Sequence, residues 1–295
     1  MDCKKIEFCK IGKAKVSFQK ENPQGIIIFF GGYFFGSFPI FFYRRLLTKI
    51  KESGYTIVVL SYSLLSDHVE IAKTLFQDYV DTLKKLKEID IFYNDHKNYS
   101  WVAHSLGCEY IALLSLLSNK DSENINGAPK EFCNIFKEIN ENATRKIFEL
   151  SLERNKLLSL EKNKLLPMGE QKSVFIAPCF KPPTSLLQFL IKPTQQQTWN
   201  CIEDQKDSSF NLTSVIFFTK DCIAGSGTQC QECTFDRATK NHKKCSDVCF
   251  LVEKLKLKER GLWLELDGNH MTPIYMNNQI NLANSIVSLL NKTNL

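Results

Sequence analysis

One serine lies in a setting that can turn its hydroxyl group into a nucleophile. Residues 103–107 have the sequence Ala-His-Ser-Leu-Gly, so small residues stand two positions before and two positions after Ser105. A sharp strand-to-helix turn needs small residues there, because larger ones would clash with the neighbouring strand and helix. Such a turn strains the serine backbone and exposes the hydroxyl group at the top of a sheet. The alternative is that Ser105 only caps a helix, since this short motif also occurs by chance.

A serine nucleophile needs a histidine base that is itself oriented by a carboxylate. Where a nucleophile occupies a strand-to-helix turn, the acid follows a late strand and the histidine follows the last one. Asp221 lies two residues beyond an apolar run that ends at Thr219, and His270 lies four residues beyond a run that ends at Leu266. These two residues therefore have the expected order and position. Asp267 is close to His270 in sequence and is an alternative acid.

A pair of glycines could allow backbone N–H groups to bind a negatively charged oxygen. Gly31 and Gly32 follow an apolar run, and adjacent glycines let the backbone approach a substrate closely. The N–H of Gly32 or of Tyr33 could join that of Leu106 in an oxyanion hole. The aromatic residues that follow suggest an apolar surface for an acyl group, although they could equally belong to the core. They are Phe34, Phe35, Phe38, Phe41 and Phe42.

A group of cysteines could bind a metal ion independently of these residues. Four cysteines are spaced as Cys-x2-Cys-x11-Cys-x3-Cys, and two such pairs suit a tetrahedral structural zinc ion. They are Cys230, Cys233, Cys245 and Cys249, with His242 between the pairs and Cys222 as a fifth candidate. The unequal spacing of the pairs leaves free thiols or disulfides as an alternative. A zinc ion bound here would be structural, because an all-cysteine site has no open position for a substrate. Catalysis by the serine is expected to require no cofactor.

The elements that must position these residues alternate as strands and helices. Short apolar runs predict buried strands, and longer segments with helical spacing lie between several of them. The predicted strands are residues 25–30, 55–60, 99–103, 173–177, 213–219 and 262–266. The predicted helices are residues 44–53, 67–88, 106–117 and 279–290. This alternation predicts an α/β fold with a mostly parallel central sheet and helices on both faces.

Three segments depart from the alternation. Residues 121–171 are rich in Asn, Lys and Glu and have helical apolar spacing, which predicts a helical, lid-like insertion over the edge of the sheet. Residues 222–249 hold the clustered cysteines and predict a second insertion. Residues 179–207 carry three prolines and a glutamine run, which predict a long loop with one short helix. Since 295 residues can form one sizeable core, we expect a single domain with insertions.

Charge and hydropathy argue against several classes of protein. The net charge of +6 comes from basic residues spread along the chain, whereas a nucleic-acid-binding protein commonly has a concentrated basic stripe. The apolar stretch at residues 26–42 is interrupted by glycine, serine and proline, and lacks the roughly 20 uninterrupted residues that span a bilayer. The N-terminus also lacks the apolar run of a secretory signal. We therefore expect a cytoplasmic protein, or a stromal one in a plastid, that binds a small apolar acyl or ester substrate and no nucleic acid.

Taken together, these segments resemble the α/β-hydrolase superfamily, and more closely an uncharacterised branch known mainly from photosynthetic bacteria and plastids. The resemblance covers roughly residues 25–290. It rests on segments 30–36, 43–44, 67–72, 103–108 and 268–273. It implies an α/β-hydrolase fold and the hydrolysis of an ester, thioester or other acyl substrate. Acyl transfer by the same serine and a non-catalytic binding function are alternatives. The pair Asp67 and His68 is similar to a feature of that branch, which implies a position on the rim of the site.

Overall fold

An eight-stranded sheet forms the centre of the protein. The structure, a computed structural model, describes residues 6–63, 68–117, 171–180, 195–203, 212–225, 234–236, 241–243, 246–256, 262–275 and 279–292. The strands of the sheet are β1 Cys9–Ile11, β2 Ala14–Ser17, β3 Gly25–Phe30, β4 Tyr55–Val59, β5 Tyr99–His104, β6 Lys172–Ile176, β7 Thr213–Phe218 and, further along the chain, β10 Leu262–Leu266. A separate antiparallel pair is formed by β8 Thr234–Asp236 and β9 Asn241–Lys243.

The strand order across the large sheet is β1-β2-β4-β3-β5-β6-β7-β10. The pairs β1–β2 and β2–β4 are antiparallel, and every other pair is parallel. The chain moves from β3 to β4 in one direction across the sheet and then from β4 to β5 in the other. Because parallel crossovers are right-handed, this reversal places successive connecting helices on opposite faces. The prediction of a mostly parallel sheet covered on both faces is thus confirmed.

The helices pack in pairs on these faces. They are α1 Pro39–Phe42, α2 Arg44–Glu52, α3 His68–Lys87, α4 Gly107–Leu117, α5 Gln195–Glu203, α6 Asp247–Lys256 and α7 Gln279–Lys292. Helix α2 packs against α7, and α3 packs against α4. The apolar side of α2 is formed by Leu46, Leu47 and Ile50, all buried, at the spacing that predicts this helix. No helix within the described ranges is both long and apolar enough to cross a membrane.

The central strands are apolar along their whole length because both of their faces are covered. Every residue of β3, β4, β5 and β7 is buried, and strands of this kind appear in a sequence as continuous apolar runs. The edge strand β10 instead alternates between half-buried and exposed residues, and Trp263 is exposed. The six strands predicted from apolar runs are therefore all present, with bounds that differ by at most one residue.

The structure differs from the sequence-based expectation in its shorter and less regular parts. Strands β1 and β2 form a hairpin that was not predicted, because three and four residues are too few to show a periodic pattern. Helix α6 begins inside the cysteine-rich segment, where only an insertion was expected. The short helix predicted within 179–207 corresponds to α5, which includes the glutamine run. The predicted helical insertion at 121–171 lies outside the described residues, apart from Gln171.

A buried carboxylate holds the irregular segments against the core. Asp247, in the first turn of α6, accepts hydrogen bonds from the N–H of Phe180 at 2.8 Å and from Trp199 Nε1 at 2.6 Å. Gln195 Nε2 donates a third hydrogen bond at 2.9 Å. The ring of Trp199 stacks on Phe250, with centroids 5.0 Å apart and an interplanar angle of 10°. One side chain thus connects α5, α6 and the end of β6, and its charge is compensated by three donors.

Candidate active site

The residues predicted to carry chemistry follow the carboxyl ends of four strands. Ser105 follows β5, the glycine pair follows β3, Asp221 follows β7 and His270 follows β10. These strands are mutually parallel, so their carboxyl ends lie along one edge of the sheet. Side chains distant in sequence can therefore meet at this edge, which is where open α/β sheets commonly bind ligands.

The backbone of Ser105 is held in the left-handed conformation, with φ of 53°. This conformation is unfavourable for a residue with a side chain and needs support from its surroundings. The Ser105 N–H donates to the carbonyl of Ile176 at 2.9 Å, and the Ser105 carbonyl accepts from the N–H of Cys179 at 3.3 Å. Hydrogen bonds to the end of β6 and to the residues after it therefore hold the turn between β5 and α4 in the sharp form that the sequence predicts.

Two glycines are required by close contacts around this turn. A Cβ atom on Gly107 would lie 2.6 Å from the carbonyl oxygen of Gly31, closer than real Cβ contacts allow. A Cβ atom on Gly32 would lie 2.7 Å from the Cβ of Ser105. Glycine at both positions lets the loop after β3 lie directly against the serine and the first turn of α4.

Ser105, His270 and Asp221 form one hydrogen-bonded series. His270 Nε2 lies 2.8 Å from Ser105 Oγ, and His270 Nδ1 lies 2.9 Å from Asp221 Oδ2. The other carboxylate oxygen, Oδ1, accepts from the N–H groups of Ile223 at 2.8 Å and Ala224 at 2.9 Å. The three side chains are almost entirely buried. Since a carboxylate only accepts hydrogen bonds, Nδ1 carries the proton, and Nε2 of the neutral ring can accept one from the serine hydroxyl.

Asp267, the alternative acid, is directed elsewhere. Its carboxylate is exposed and lies 3.2 Å from Lys220 Nζ and 3.1 Å from Thr219 Oγ1. Hydrogen bonds from Lys220 and Thr219 lower the pKa of Asp267 below its ordinary value. The structure therefore pairs His270 with Asp221 and directs the carboxylate of Asp267 to Lys220 and Thr219.

A second hydrogen-bonded chain runs behind this series. The N–H of Gly32 donates to Tyr43 Oη at 2.8 Å, and Tyr43 Oη lies 2.7 Å from His104 Nδ1. His104 Nε2 lies 2.9 Å from the backbone carbonyl of His270. A carbonyl oxygen only accepts hydrogen bonds, so His104 carries its proton on Nε2. Its Nδ1 then accepts a hydrogen bond from the Tyr43 hydroxyl group. Burial and then the proximity of His270 lower the pKa of His104, which favours this neutral form.

This chain connects the glycine loop to the backbone of His270 through two side chains to which the sequence assigns no role in the site. His104 occupies the variable position of the serine motif, and Tyr43 belongs to a segment that supports the resemblance but indicates no contact. Burial also raises the pKa of Tyr43, which keeps its hydroxyl protonated and able to donate. Only the packing of the loop against the serine turn brings these groups together.

The backbone N–H groups near Ser105 differ in their availability. The sequence left the N–H of Gly32 or that of Tyr33 as the donor to a substrate oxygen. The N–H of Gly32 already donates a hydrogen bond to Tyr43, so it is not free for this role. Within the described part of the chain, the N–H groups of Tyr33 and Leu106 donate to no other protein group. Leu106 immediately precedes α4, where the helix dipole favours negative charge. Of the three predicted donors, Tyr33 and Leu106 thus have N–H groups with no acceptor among the described residues, and their role in an oxyanion hole stays a prediction.

Comparisons with known proteins agree with this geometry at the level of fold. Residues 11–140 match a family model described as "Protein of unknown function (DUF1350)". No curated protein matches the chain. A candidate carboxylesterase from Lactobacillus plantarum is similar with a TM-score of 0.55 and 14% identity, over 99% of this chain and 100% of that chain. Carboxyl esterase 2 from the fungus Tuber melanosporum is similar with a TM-score of 0.52 and 12% identity, over 95% of this chain and 81% of its own.

The protein has the α/β-hydrolase fold. The predicted fold class is confirmed by these neighbours and by the strand order of the sheet. At such low identities the likeness concerns the fold alone. The expected distribution among photosynthetic bacteria and plastids stays a prediction.

A second buried histidine–carboxylate pair is formed by His68 and Glu109. His68 Nδ1 lies 2.7 Å from Glu109 Oε2, with angles outside those of a hydrogen bond. Thr198 Oγ1 donates to the other oxygen of Glu109 at 3.0 Å, and the His68 ring packs edge-on against Tyr110. The His68 side chain is buried and joins α3 to α4, and its expected position on the rim of the site stays a prediction. Asp67 lies outside the described residues.

The predicted zinc site falls mostly outside the described residues. Cys230, Cys233 and Cys245 are among those not described, whereas Cys249 is buried in α6. The structural zinc therefore stays a prediction, which metal analysis of purified protein would test. Cys222, the fifth candidate, has an exposed side chain and forms no disulfide.

Proposed function

We propose that this protein is a serine hydrolase that cleaves an ester, thioester or other acyl substrate. The observation that carries the proposal is the hydrogen-bonded series of Ser105, His270 and Asp221, with distances of 2.8 Å and 2.9 Å. A base and an orienting acid are what a serine hydroxyl needs to become a nucleophile at neutral pH. The left-handed backbone of Ser105 supports the same function, because strain of this kind is commonly retained at functional sites.

The proposed reaction assigns one task to each group. Ser105 Oγ attacks the substrate carbonyl while His270 Nε2 takes the serine proton, and Asp221 stabilises the imidazolium that forms. The N–H groups of Tyr33 and Leu106 donate to the negatively charged oxygen of the tetrahedral intermediate. His270 then donates the proton to the leaving group, which departs and leaves an acyl group on Ser105. Water, activated by His270 in the same way, attacks this ester and releases the acid.

We propose an apolar acyl group as the substrate portion that binds beside the glycine loop. Phe35 and Phe42 are half-buried and pack against each other, with ring centroids 4.9 Å apart. They belong to the segment that begins with Tyr33, whose N–H is a proposed oxyanion donor. Aromatic side chains beside a few fixed polar groups are typical of ligand sites.

A fluorophosphonate probe tests the nucleophile. We expect it to label the folded wild-type protein and not Ser105→Ala, because the probe reacts only with an activated serine hydroxyl. Ser288→Ala is the matched control, since Ser288 is an exposed serine on α7, and it should be labelled like the wild type. Absence of labelling in the folded wild type, or equal labelling of Ser105→Ala, would contradict the proposal.

A series of p-nitrophenyl esters of increasing acyl length tests the apolar acyl group. Each methylene buried on binding contributes about 0.8 kcal/mol, which corresponds to up to about a fourfold rise in kcat/KM. We expect this rise over the first members of the series and then a plateau. A value that falls steadily from acetate onwards would show that the acyl site is small or polar.

A further inference from the structure

The exposed apolar side chains of this protein are concentrated near the strand ends that carry the site. Nine large hydrophobic residues are exposed in the described part of the chain. Five of them follow the carboxyl ends of β3, β7 and β10, the same ends that precede Tyr33, Asp221 and His270. These five are Phe34, Phe38, Phe41, Ile223 and Tyr275. The active-site edge of the sheet is therefore more apolar than a solvated surface requires.

Three of these residues form one surface, which we call the aromatic patch: Phe34, Phe38 and Phe41. Their exposed fractions are 51%, 59% and 79%. The ring centroids of Phe34 and Phe38 are 6.2 Å apart. The ring centroids of Phe34 and Phe41 lie 6.0 Å and 5.0 Å from that of the half-buried Phe42. The patch is thus a continuous group of rings supported by the core, and contiguous apolar surface of this kind typically marks an interaction site.

The charge next to the aromatic patch indicates the kind of partner. Residues 31–51 contain no Asp or Glu but hold Arg44, Arg45, Lys49 and Lys51. Lys49 is paired with Glu52, whereas Arg45 is exposed and lies four residues after Phe41. A second copy of the chain would bring its own arginines to the contact, which is unfavourable. No ion pair of Arg44 or Arg45 with another described residue is present, and aromatic rings beside such positive charge instead fit a lipid surface, where acyl chains lie beneath anionic headgroups.

We propose that the aromatic patch docks on a bilayer surface that contains anionic lipids. Phe38 and Phe41 enter the boundary between headgroups and acyl chains, and Arg44 and Arg45 lie at the headgroup phosphates. Since the patch continues from Tyr33, docking brings the mouth of the proposed site to an acyl lipid. The lipid as substrate rests on the proposed serine hydrolase function, but the docking itself does not.

Vesicle co-sedimentation of the full-length chain tests the docking. We use Ser105→Ala so that no lipid is consumed, with vesicles of phosphatidylcholine alone and of equal parts phosphatidylcholine and phosphatidylglycerol. We expect binding to the mixed vesicles and a loss of at least about tenfold in Phe38→Ser/Phe41→Ser, because burial of the two rings drives the contact. The matched control is Ile89→Ser/Ile91→Ser. Ile89 and Ile91 are 51% and 83% exposed and precede β5, so they lie near the amino ends of the strands, away from the aromatic patch. The binding of this control should stay within about twofold of the parent protein, as expected for surface changes away from a contact.

A charge variant separates lipid docking from simple apolar adhesion. Arg45→Gln should weaken binding to the mixed vesicles by about fivefold and leave binding to phosphatidylcholine unchanged, because one cation near an anionic surface contributes that much. Thermal unfolding confirms that each variant is folded, and the single variant Phe41→Ser serves if the double variant is not.

Three results would overturn the proposal: no binding of the parent protein, equal losses in both double variants, or a dimer in light scattering that only the patch variant abolishes. Docking without labelling by the fluorophosphonate would instead contradict only the proposed hydrolase function.

Discussion

Two buried histidine–carboxylate pairs lie within the described part of the chain, and they differ in the groups that their remaining nitrogen and oxygen atoms contact. His270 and Asp221 lie 2.9 Å apart, and His68 and Glu109 lie 2.7 Å apart. The second nitrogen of His270 faces the hydroxyl of Ser105 at 2.8 Å. In the other pair, the carboxylate is shared with a threonine of α5 and the imidazole packs against a tyrosine ring. A close histidine and carboxylate therefore do not by themselves indicate catalysis.

The location of each pair explains this difference. His270 and Asp221 lie in loops at the carboxyl ends of β10 and β7, beside a serine whose backbone is strained. His68 begins α3 and Glu109 lies in the first turn of α4, so that pair connects two packed helices. We infer that the first pair acts in the reaction and that the second stabilises the fold.

The largest expected effect is that of the proposed base. His270→Ala should lower kcat/KM for p-nitrophenyl butyrate by a factor on the order of 10⁶, as should Ser105→Ala, because nucleophile and base act as a unit. His68→Ala should lower the activity of the folded fraction by less than about tenfold, since its expected cost is in stability. Steady-state kinetics with thermal unfolding of each variant measure both effects. Equal losses of activity in the two histidine variants would remove the distinction.

The acid should contribute less than the base. Asp221→Asn should lower kcat by about 10⁴-fold, because an asparagine can favour the wrong tautomer of His270 and does not stabilise the imidazolium. Asp267→Asn is the matched control and should stay within about twofold of the wild type, since its surface charge pair contributes little. A larger loss in Asp267→Asn than in Asp221→Asn would reverse the assignment of the acid.

The second carboxylate should matter for stability. Glu109→Ala removes the partner of His68 and of Thr198, and breaking a buried pair of this kind costs about 3–5 kcal/mol in the free energy of unfolding. Glu52→Ala, which removes a surface pair with Lys49, should cost less than about 1 kcal/mol. Urea unfolding measures both changes. If Glu109→Ala is as stable as the wild type but inactive, the pair belongs to the reaction after all.

The smallest expected effect concerns the chain behind the site. His104→Leu removes the hydrogen bonds to Tyr43 and to the carbonyl of His270. It should lower kcat about tenfold with KM unchanged, because the two bonds together contribute roughly 1–3 kcal/mol and about 1.4 kcal/mol corresponds to tenfold. His104→Gln keeps one acceptor and one donor and should recover most of kcat. The comparison of kcat and KM across these variants distinguishes positioning from a general loss of stability. Equal values for the leucine and glutamine variants would show that these hydrogen bonds do not position His270.

Much of the fold was predictable because its central strands are buried on both faces. Such strands are continuous apolar runs, and the helices between them keep one apolar side, so both patterns are visible in the sequence. The hairpin β1–β2 was not predictable, since so few residues carry no period. Helix α6 is not among the predicted helices although Val248, Val252 and Leu255 have helical spacing, because the neighbouring cysteines indicate an insertion instead.

The sequence by itself determined the fold class and the order in which a serine, an acid and a histidine follow the strands. These depend on local patterns, which burial and turn geometry impose on residue types. The tertiary structure alone decided that Asp221 rather than Asp267 faces His270, that Tyr43 takes the N–H of Gly32, and that His68 is buried against Glu109. Each of these is a contact between groups that are not neighbours in the sequence. Their directions follow from how the loops and helices pack, and no spacing in the sequence encodes them.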